Sequence, residues 1–145
     1  MLNMAKTTAK KVKRTSSAEE AKSYAMMAAT AALSKKAIDV KIMDLHGLTD
    51  MTDYFVVCTA ESDAQVKAIA DAVDVGLAQN GWNAWHTEGY SNLKWVLLDY
   101  VDVVVHVFYK DARTYYGLDT LWGDAPYEWI SDTPKGIVVK SSVEI

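Results

Sequence analysis

The chain has 145 residues and a mass of 16.0 kDa, which is one domain's length with little room for a second. Half of it is hydrophobic and 23% is charged, a balance that excludes disordered and collagenous classes. No apolar stretch reaches the roughly 18 residues a membrane-spanning helix needs, and a single cysteine excludes an internal disulfide or a thiolate cluster. That cysteine usage suits a reducing compartment. The net charge of −4 is unevenly spread: residues 1–15 hold Lys6, Lys10, Lys11, Lys13 and Arg14 and no acid, so residues 16–145 carry −9. An acidic body is a poor generic nucleic-acid binder, because phosphate neutralisation drives that affinity. Residues 1–15 lack the apolar segment of a signal peptide and read as a solvated, disordered basic leader.

Ser17-Ala18-Glu19-Glu20 has the spacing of a capping box, and the alanine-rich run to about Lys36 reads as a helix. Ile38-Asp39-Val40-Lys41-Ile42 alternates apolar and charged residues, the mark of a half-buried strand. Tyr54 to Thr59 is apolar on both faces and is expected inside the sheet. Ser62 to Gln65 is a second capping box. It opens a helix whose Val66, Ile69, Ala70, Val73 and Leu77 share one face, and Asn80-Gly81 stops it.

Three further strands are expected at Trp82–Thr87, Lys94–Asp99 and Val103–Phe108, with a tight antiparallel turn joining the last two. A short helix from Asp111 to Tyr116 ends at Gly117. After Pro126 the pattern decays, and Gly136 to Lys140 is either an extra edge strand or a tail. The expected organisation is a leader over 1–15, one domain over 16–125 and a C-terminal tail over 126–145. The fold class is α/β (α+β), a mixed five-stranded sheet flanked by helices.

Signals for catalysis are weak. His46, His86 and His106 form no metal-type pair on a helix. His106, inside Val103–Phe108, reads as a core histidine with its charge suppressed. Cys58 sits mid-strand among apolar neighbours and reads as a packing cysteine. Asp44, Asp50, Asp53, Asp99 and Asp102 flank strands, but no Asp-x-Asp places two carboxylates on one strand face. Asp99 and Asp102 bracket a turn, where Asp serves local hydrogen bonding. No Gly-rich phosphate loop is present, and no metal or cofactor is expected.

The density of aromatics is the stronger signal: Trp82, Trp85, Trp95, Tyr100, Trp122, Tyr127 and Trp129 all fall in the second half. Period-2 spacing puts Trp95, Leu97 and Asp99 on one strand face and Val96, Leu98 and Tyr100 on the other. Either helices cover both faces, or one is left open as a partner-binding patch; periodicity leaves both readings standing.

Two blocks carry a family resemblance. The first is Asp53–Thr59 followed by Ser62–Asp71. The second is Glu88-Gly89, Trp95–Tyr100, Asp102–Phe108, Arg113–Tyr116, Leu118 and Leu121–Ala125. In sequence, order and spacing, from about Ala37 to Ala125, the chain resembles the ribosomal silencing factor family, also called Iojap-like. The resemblance implies a fold similar to the nucleotidyltransferases, without their catalytic signature, and a protein that is not an enzyme. It implies binding to the large ribosomal subunit through ribosomal protein number fourteen of that subunit. Occupying that surface blocks joining of the small subunit and represses translation under nutrient limitation. It further implies a homodimer, a bacterial cytoplasm in preference to an organelle, and no membrane or sequence-specific nucleic-acid partner. On that reading the contact residues are Trp95, Leu97 and Leu98 as apolar anchors and Asp99, Tyr100 and Asp102 as polar orienters. Glu88 joins them as a secondary contact. Three alternatives remain: a large-subunit assembly factor, a nucleotidyltransferase-like enzyme using magnesium and nucleotide, and an RNA binder working through the basic leader.

Overall fold

The computed structural model describes residues 18–143. The basic leader and the Ser17 half of the first capping box lie outside the described residues. The elements in chain order are α1 (Ala18–Ser34), β1 (Ile38–Asp44), β2 (Tyr54–Ala60), α2 (Asp63–Ala78), β3 (His86–Glu88), β4 (Trp95–Asp99) and β5 (Val103–Tyr109). Then follow α3 (Lys110–Tyr116), α4 (Leu118–Leu121), β6 (Tyr127–Thr133) and β7 (Gly136–Ser141).

The strands form one mixed sheet in the order β3-β4-β5-β2-β1-β6-β7. Among the described strands only β2 and β5 run parallel, Tyr54 beside Val103 through Ala60 beside Tyr109. Parallel neighbours need a long crossover, which α2, β3 and β4 supply. The sheet therefore has seven strands where five are expected from the sequence. The C-terminal segment is part of it: β6 pairs with β1, Lys41 beside Trp129, and β7 pairs with β6.

The two faces are covered unequally. On one face lie α1 and α2, packed over Val40, Ile42, Val56, Cys58, Val96, Leu98, Val103, Val105 and Val107. Helix α1 buries Ala21, Ala25, Ala28, Ala29 and Ala32, residues short enough to let its backbone sit close to the sheet and to α2. Helix α2 buries the expected stripe Val66, Ile69, Ala70, Val73 and Leu77. Its cap forms as expected, Gln65 N–H donating to Ser62 Oγ at 3.1 Å. Gln65 Oε1 accepts from Glu61 N–H at 2.8 Å, and its amide nitrogen donates to the Lys35 and Lys36 carbonyls, tying α2 to the end of α1.

Among the described residues, the opposite face receives only α3 and α4, which bury Ala112 and Leu118 against Met43, Leu45, Val57 and Phe108. These two helices have 7 and 4 residues, too short to roof a seven-stranded sheet. Strand β3 is shorter than expected, His86–Glu88 rather than Trp82–Thr87, because Trp82 stacks on Tyr24 of α1 at 3.9 Å between ring centroids.

Candidate functional site: the half-open sheet face around Trp95

The register fixes which side chains share the thinly covered face. Glu88 lies beside Leu97, Leu97 beside His106, and His106 beside Val57. In the adjoining rows Trp95 lies beside Phe108, and Asp99 beside Val104, which lies beside Phe55. Direct cross-strand neighbours point to the same side. Trp95, Leu97, Asp99, Phe55 and Trp122 are half-buried there, and Glu88 is exposed.

Trp95 is held on three sides. Its ring lies 4.9 Å from Phe108 and 4.8 Å from Tyr116 of α3, centroid to centroid. Its indole N–H donates to His106 Nδ1 at 3.0 Å. An indole can only donate, so Nδ1 is the bare nitrogen and the imidazole proton sits on Nε2. His106 is 3% exposed, and burial lowers its pKa to about 3, so the ring stays neutral. Its Nε2 has no hydrogen-bond partner among the described residues, while the Phe55 ring meets the imidazole edge-on at 4.4 Å. His106 is thus the core histidine the sequence leads one to expect. Cys58 is likewise inert: it is fully buried, and burial pushes its thiol up to about 12.

The patch continues onto α3 and α4. Tyr115 is 79% and Leu121 74% exposed; Tyr115 meets Tyr116 edge-on at 5.0 Å, and Phe55 meets Trp122 at 6.0 Å. Tyr115, Tyr116, Leu121 and Phe55 were not among the contacts expected from the sequence. The residue types were visible there, but nothing in the spacing shows that α3 carries its tyrosines to the flank of Trp95.

Other expected contacts turn away. Leu98 is 0%, Tyr100 3% and Asp102 2% exposed, so none offers its side chain to a partner. Leu98 packs under the long helices, and Tyr100 follows it on the same side, its hydroxyl donating to Asp74 Oδ1 on α2 at 3.2 Å. The Asp102 carbonyl accepts from the N–H groups of Asp53 and Tyr54, so it joins the β5 entry to β2. Asp99 is on the open face and accepts from Val101 N–H at 2.8 Å. The turn it braces is tight: Asp102 N–H donates to the Tyr100 carbonyl across Val101, whose φ of 77° is rare for a β-branched residue.

Behind the patch, α4 is pinned to the sheet. Asp119 accepts from Lys41 Nζ at 2.9 Å and from Arg113 Nε and Nη2 at 3.0 and 2.9 Å. Arg113 also donates to the Asp39 carbonyl and to Thr59 Oγ1. Those hydrogen bonds hold the Asp119 carboxyl down at about 2 despite its partial burial. Of the strand-flanking acids, Asp44 and Asp53 bracket His46, at 2.6 Å from Nδ1 and 3.4 Å from Nε2, on an exposed loop far in sequence from Asp99. Among the described residues, no three His, Cys, Asp or Glu side chains are grouped so as to hold a metal ion.

What the face can do chemically is adhere. It presents aromatic and aliphatic surface with polar groups at its margin, on an acidic body, and that is the composition of a protein-docking patch. The family model described as "Ribosomal silencing factor during starvation" matches residues 18–143, including the β6–β7 segment. The ribosomal silencing factor RsfS of Bacillus subtilis is 46% identical over 105 residues, covering 72% of this chain and 89% of that protein. Its counterpart in Halalkalibacterium halodurans is 43% identical over 100 residues, covering 69% and 86%. A crystal structure of a protein from Chromobacterium violaceum superposes with a TM-score of 0.69 at 32% identity, over 85% of this chain and 92% of that one. With the match running through every described strand and helix, the chain belongs to the ribosomal silencing factor family.

Proposed function

We propose that this protein represses translation by docking on the large ribosomal subunit and sterically blocking the small subunit. The docking partner is ribosomal protein number fourteen of the large subunit, and the repression operates under nutrient limitation in a bacterial cytoplasm. The observation that carries the reading is the half-open face: Trp95 and Leu97 sit on it with Glu88 and Asp99 at its margin, in a chain whose family is named for silencing during starvation. No catalysis is required. A small protein that fills a joining surface lowers joining by mass action alone.

The face supports a contact set of Trp95, Leu97, Asp99 and Glu88, extended by Tyr116 and Trp122. An acidic body suits a basic ribosomal protein and disfavours bare RNA. Self-association into a homodimer belongs to the same reading.

The test is sedimentation of purified ribosomal subunits at joining concentrations of magnesium, with and without the protein. Co-migration with the large subunit and loss of the joined peak support the reading. Protein left at the top of the gradient with the joined peak intact overturns it.

A further inference from the structure

Period two along three neighbouring strands gathers an acidic corner on the side of the sheet covered by the long helices. Asp44 lies beside Tyr54, and Ile42, two residues earlier, lies beside Glu128. Ile42 and Tyr54 belong to the core under α1 and α2, so these rows point away from the Trp95 face. Helix α1 brings Lys22 to the corner, and Pro126 and Val143 help to line it. The side chains enclose a cavity of about 190 Å³. At about 30 Å³ per water molecule in the liquid, that is room for roughly six heavy atoms.

The polar groups of this cavity are incompletely used. Tyr54 is 7% exposed, and its hydroxyl makes no hydrogen bond among the described residues. His46 engages Asp44 only through Oδ1, which leaves Oδ2 available. Lys22 Nζ stands 2.9 Å from Glu128 Oε1 but outside hydrogen-bonding geometry. That buried oxygen therefore has an ionic neighbour and no hydrogen bond among the described residues. The same ammonium lies 5.9 Å from the Tyr54 ring centroid. Burial, and then the charges of Asp44, Asp53 and Glu128, hold the Tyr54 phenol above its ordinary pKa. Against those three carboxylates the lining supplies one permanent cation, Lys22.

We propose that this corner binds a short alkyl primary amine in its ammonium form. A primary ammonium has three N–H donors, and three oxygens of the lining can accept: Asp44 Oδ2, Glu128 Oε1 and the Tyr54 hydroxyl. The Tyr54 ring adds attraction for the charge. Ile42, Pro126 and Val143 give apolar surface to a tail of about four carbons. Lys22 is the chain's own likeness of the ligand, an ammonium on a four-carbon stem. Anchored to α1, it reaches Glu128 without completing the hydrogen bond, whereas a free amine can turn to complete all three. A neutral or anionic occupant would leave the buried carboxylate oxygen unpaired. The site lies on the other side of the sheet from the docking face, so it goes beyond the proposed function and its test needs no ribosome.

The test is titration of the full, isotopically labelled chain with butylamine hydrochloride at neutral pH and constant chloride, followed by amide chemical shifts. n-Butanol shares the tail without the charge, and potassium chloride supplies a cation without the tail. Butylamine alone should give a saturating curve, with shifts grouped around Lys22, Asp44, Tyr54 and Glu128. Glu128→Gln keeps the shape and removes a charge, and should weaken binding about tenfold or more. Lys22→Met keeps an unbranched stem and removes the competing ammonium, and should tighten binding about fivefold or more. Thermal melts verify folding of each variant, and Asp44→Asn, expected to weaken binding likewise, stands in should Glu128→Gln unfold. Lack of saturation in both the wild type and Lys22→Met overturns the proposal. So do equal shifts with potassium chloride or n-butanol, or an affinity unchanged by the carboxamide substitutions. A Gly-Lys-Gly tripeptide binding tenfold more tightly than butylamine overturns a free amine as the ligand and gives the corner to a protein lysine.

Discussion

Trp95 and His106 form a donor–acceptor pair across adjacent strands, the indole N–H reaching Nδ1 at 3.0 Å. The bond sets the plane of one of the two tryptophans on the half-open face. His106→Phe keeps the ring and removes the acceptor. His106→Asn places an oxygen near the position of Nδ1 and keeps it. The phenylalanine variant should bind the large subunit about fivefold to tenfold more weakly, in line with loss of one hydrogen bond worth about 1 kcal/mol. The asparagine variant should recover most of that. Equal affinities by pelleting assay would show that the bond does not orient Trp95.

The same histidine makes stability depend on pH. Its pKa is lowered to about 3 in the fold by burial, against about 6.5 in the unfolded chain. Between those values the unfolded chain binds a proton that the folded chain refuses. Its contribution is therefore complete above pH 6.5 and lost progressively as pH falls toward 3. At pH 5 the loss is about 2 kcal/mol relative to neutral pH. Urea titrations at pH 7 and pH 5 should show it in the wild type, and show that much less in His106→Asn.

Under the proposed function, alternate residues of β4 separate docking from folding. Trp95→Ala should cost about 2 kcal/mol or more in affinity for the large subunit if the indole anchors the contact. Leu98→Ala, one strand face away, should lower stability by about 3 kcal/mol and leave the affinity of the folded fraction unchanged. Denaturant melts and binding isotherms on both variants check the pair. A Leu98→Ala protein that folds normally and binds poorly would reverse the face assignment.

Gly89 packs its backbone directly against that of Trp95. Its φ is 91°, and a Cβ there would stand 1.9 Å from the Trp95 carbonyl oxygen. Gly89→Ala must move the β4 backbone at Trp95, since no flexible side chain is available to yield. It should lose about 2 kcal/mol of stability and reduce binding further than that loss explains. Thermal melts alongside ribosome pelleting test this, and Gly81→Ala, a positive-φ site with nothing within 4 Å, serves as the control for φ alone.

Asp119 bridges two cations, Lys41 and Arg113. Lys41 is 7% exposed, and its ammonium also lies 4.4 Å from the Tyr127 ring centroid. Asp119→Asn should destabilise the fold by about 2 kcal/mol, the low side for a buried ion network because 27% of the Asp119 side chain meets water. It should also free α4, visible as faster amide exchange at Leu118 to Trp122.

Much of this fold was legible because its central strands and α2 obey one period each. Val66, Ile69, Ala70, Val73 and Leu77 could share no face but a helical one, and Val103 to Phe108 has no polar face to expose except His106. Strand β6 was not legible because it serves two unlike sides. Glu128 pairs with Lys22 of α1 at 2.9 Å while Trp129 covers Lys41, so only Ile130 is buried and no alternation shows. At the site, period two sorted Trp95, Leu97 and Asp99 from Val96, Leu98 and Tyr100 correctly. It could not say which set faces the long helices, because both are largely apolar. That is why Leu98 and Tyr100 were expected at a surface where Trp95 and Leu97 stand. Asp102 was read as a side chain, whereas its ordering role runs through its carbonyl.

The place of β1 between β2 and β6 has a consequence for how the chain is made. A ribosome completes β1 at Asp44 and does not begin β6 until Tyr127. At ordinary elongation rates of about 5–20 residues per second, one side of β1 waits about 4–16 s for its neighbour. During that wait it is a bare strand edge in a crowd of nascent chains. Lys41, later enclosed by Tyr127, Trp129 and Asp119, begins as an exposed charge in the middle of that edge. A lysine there deters stray pairing until the right strand arrives and neutralises it.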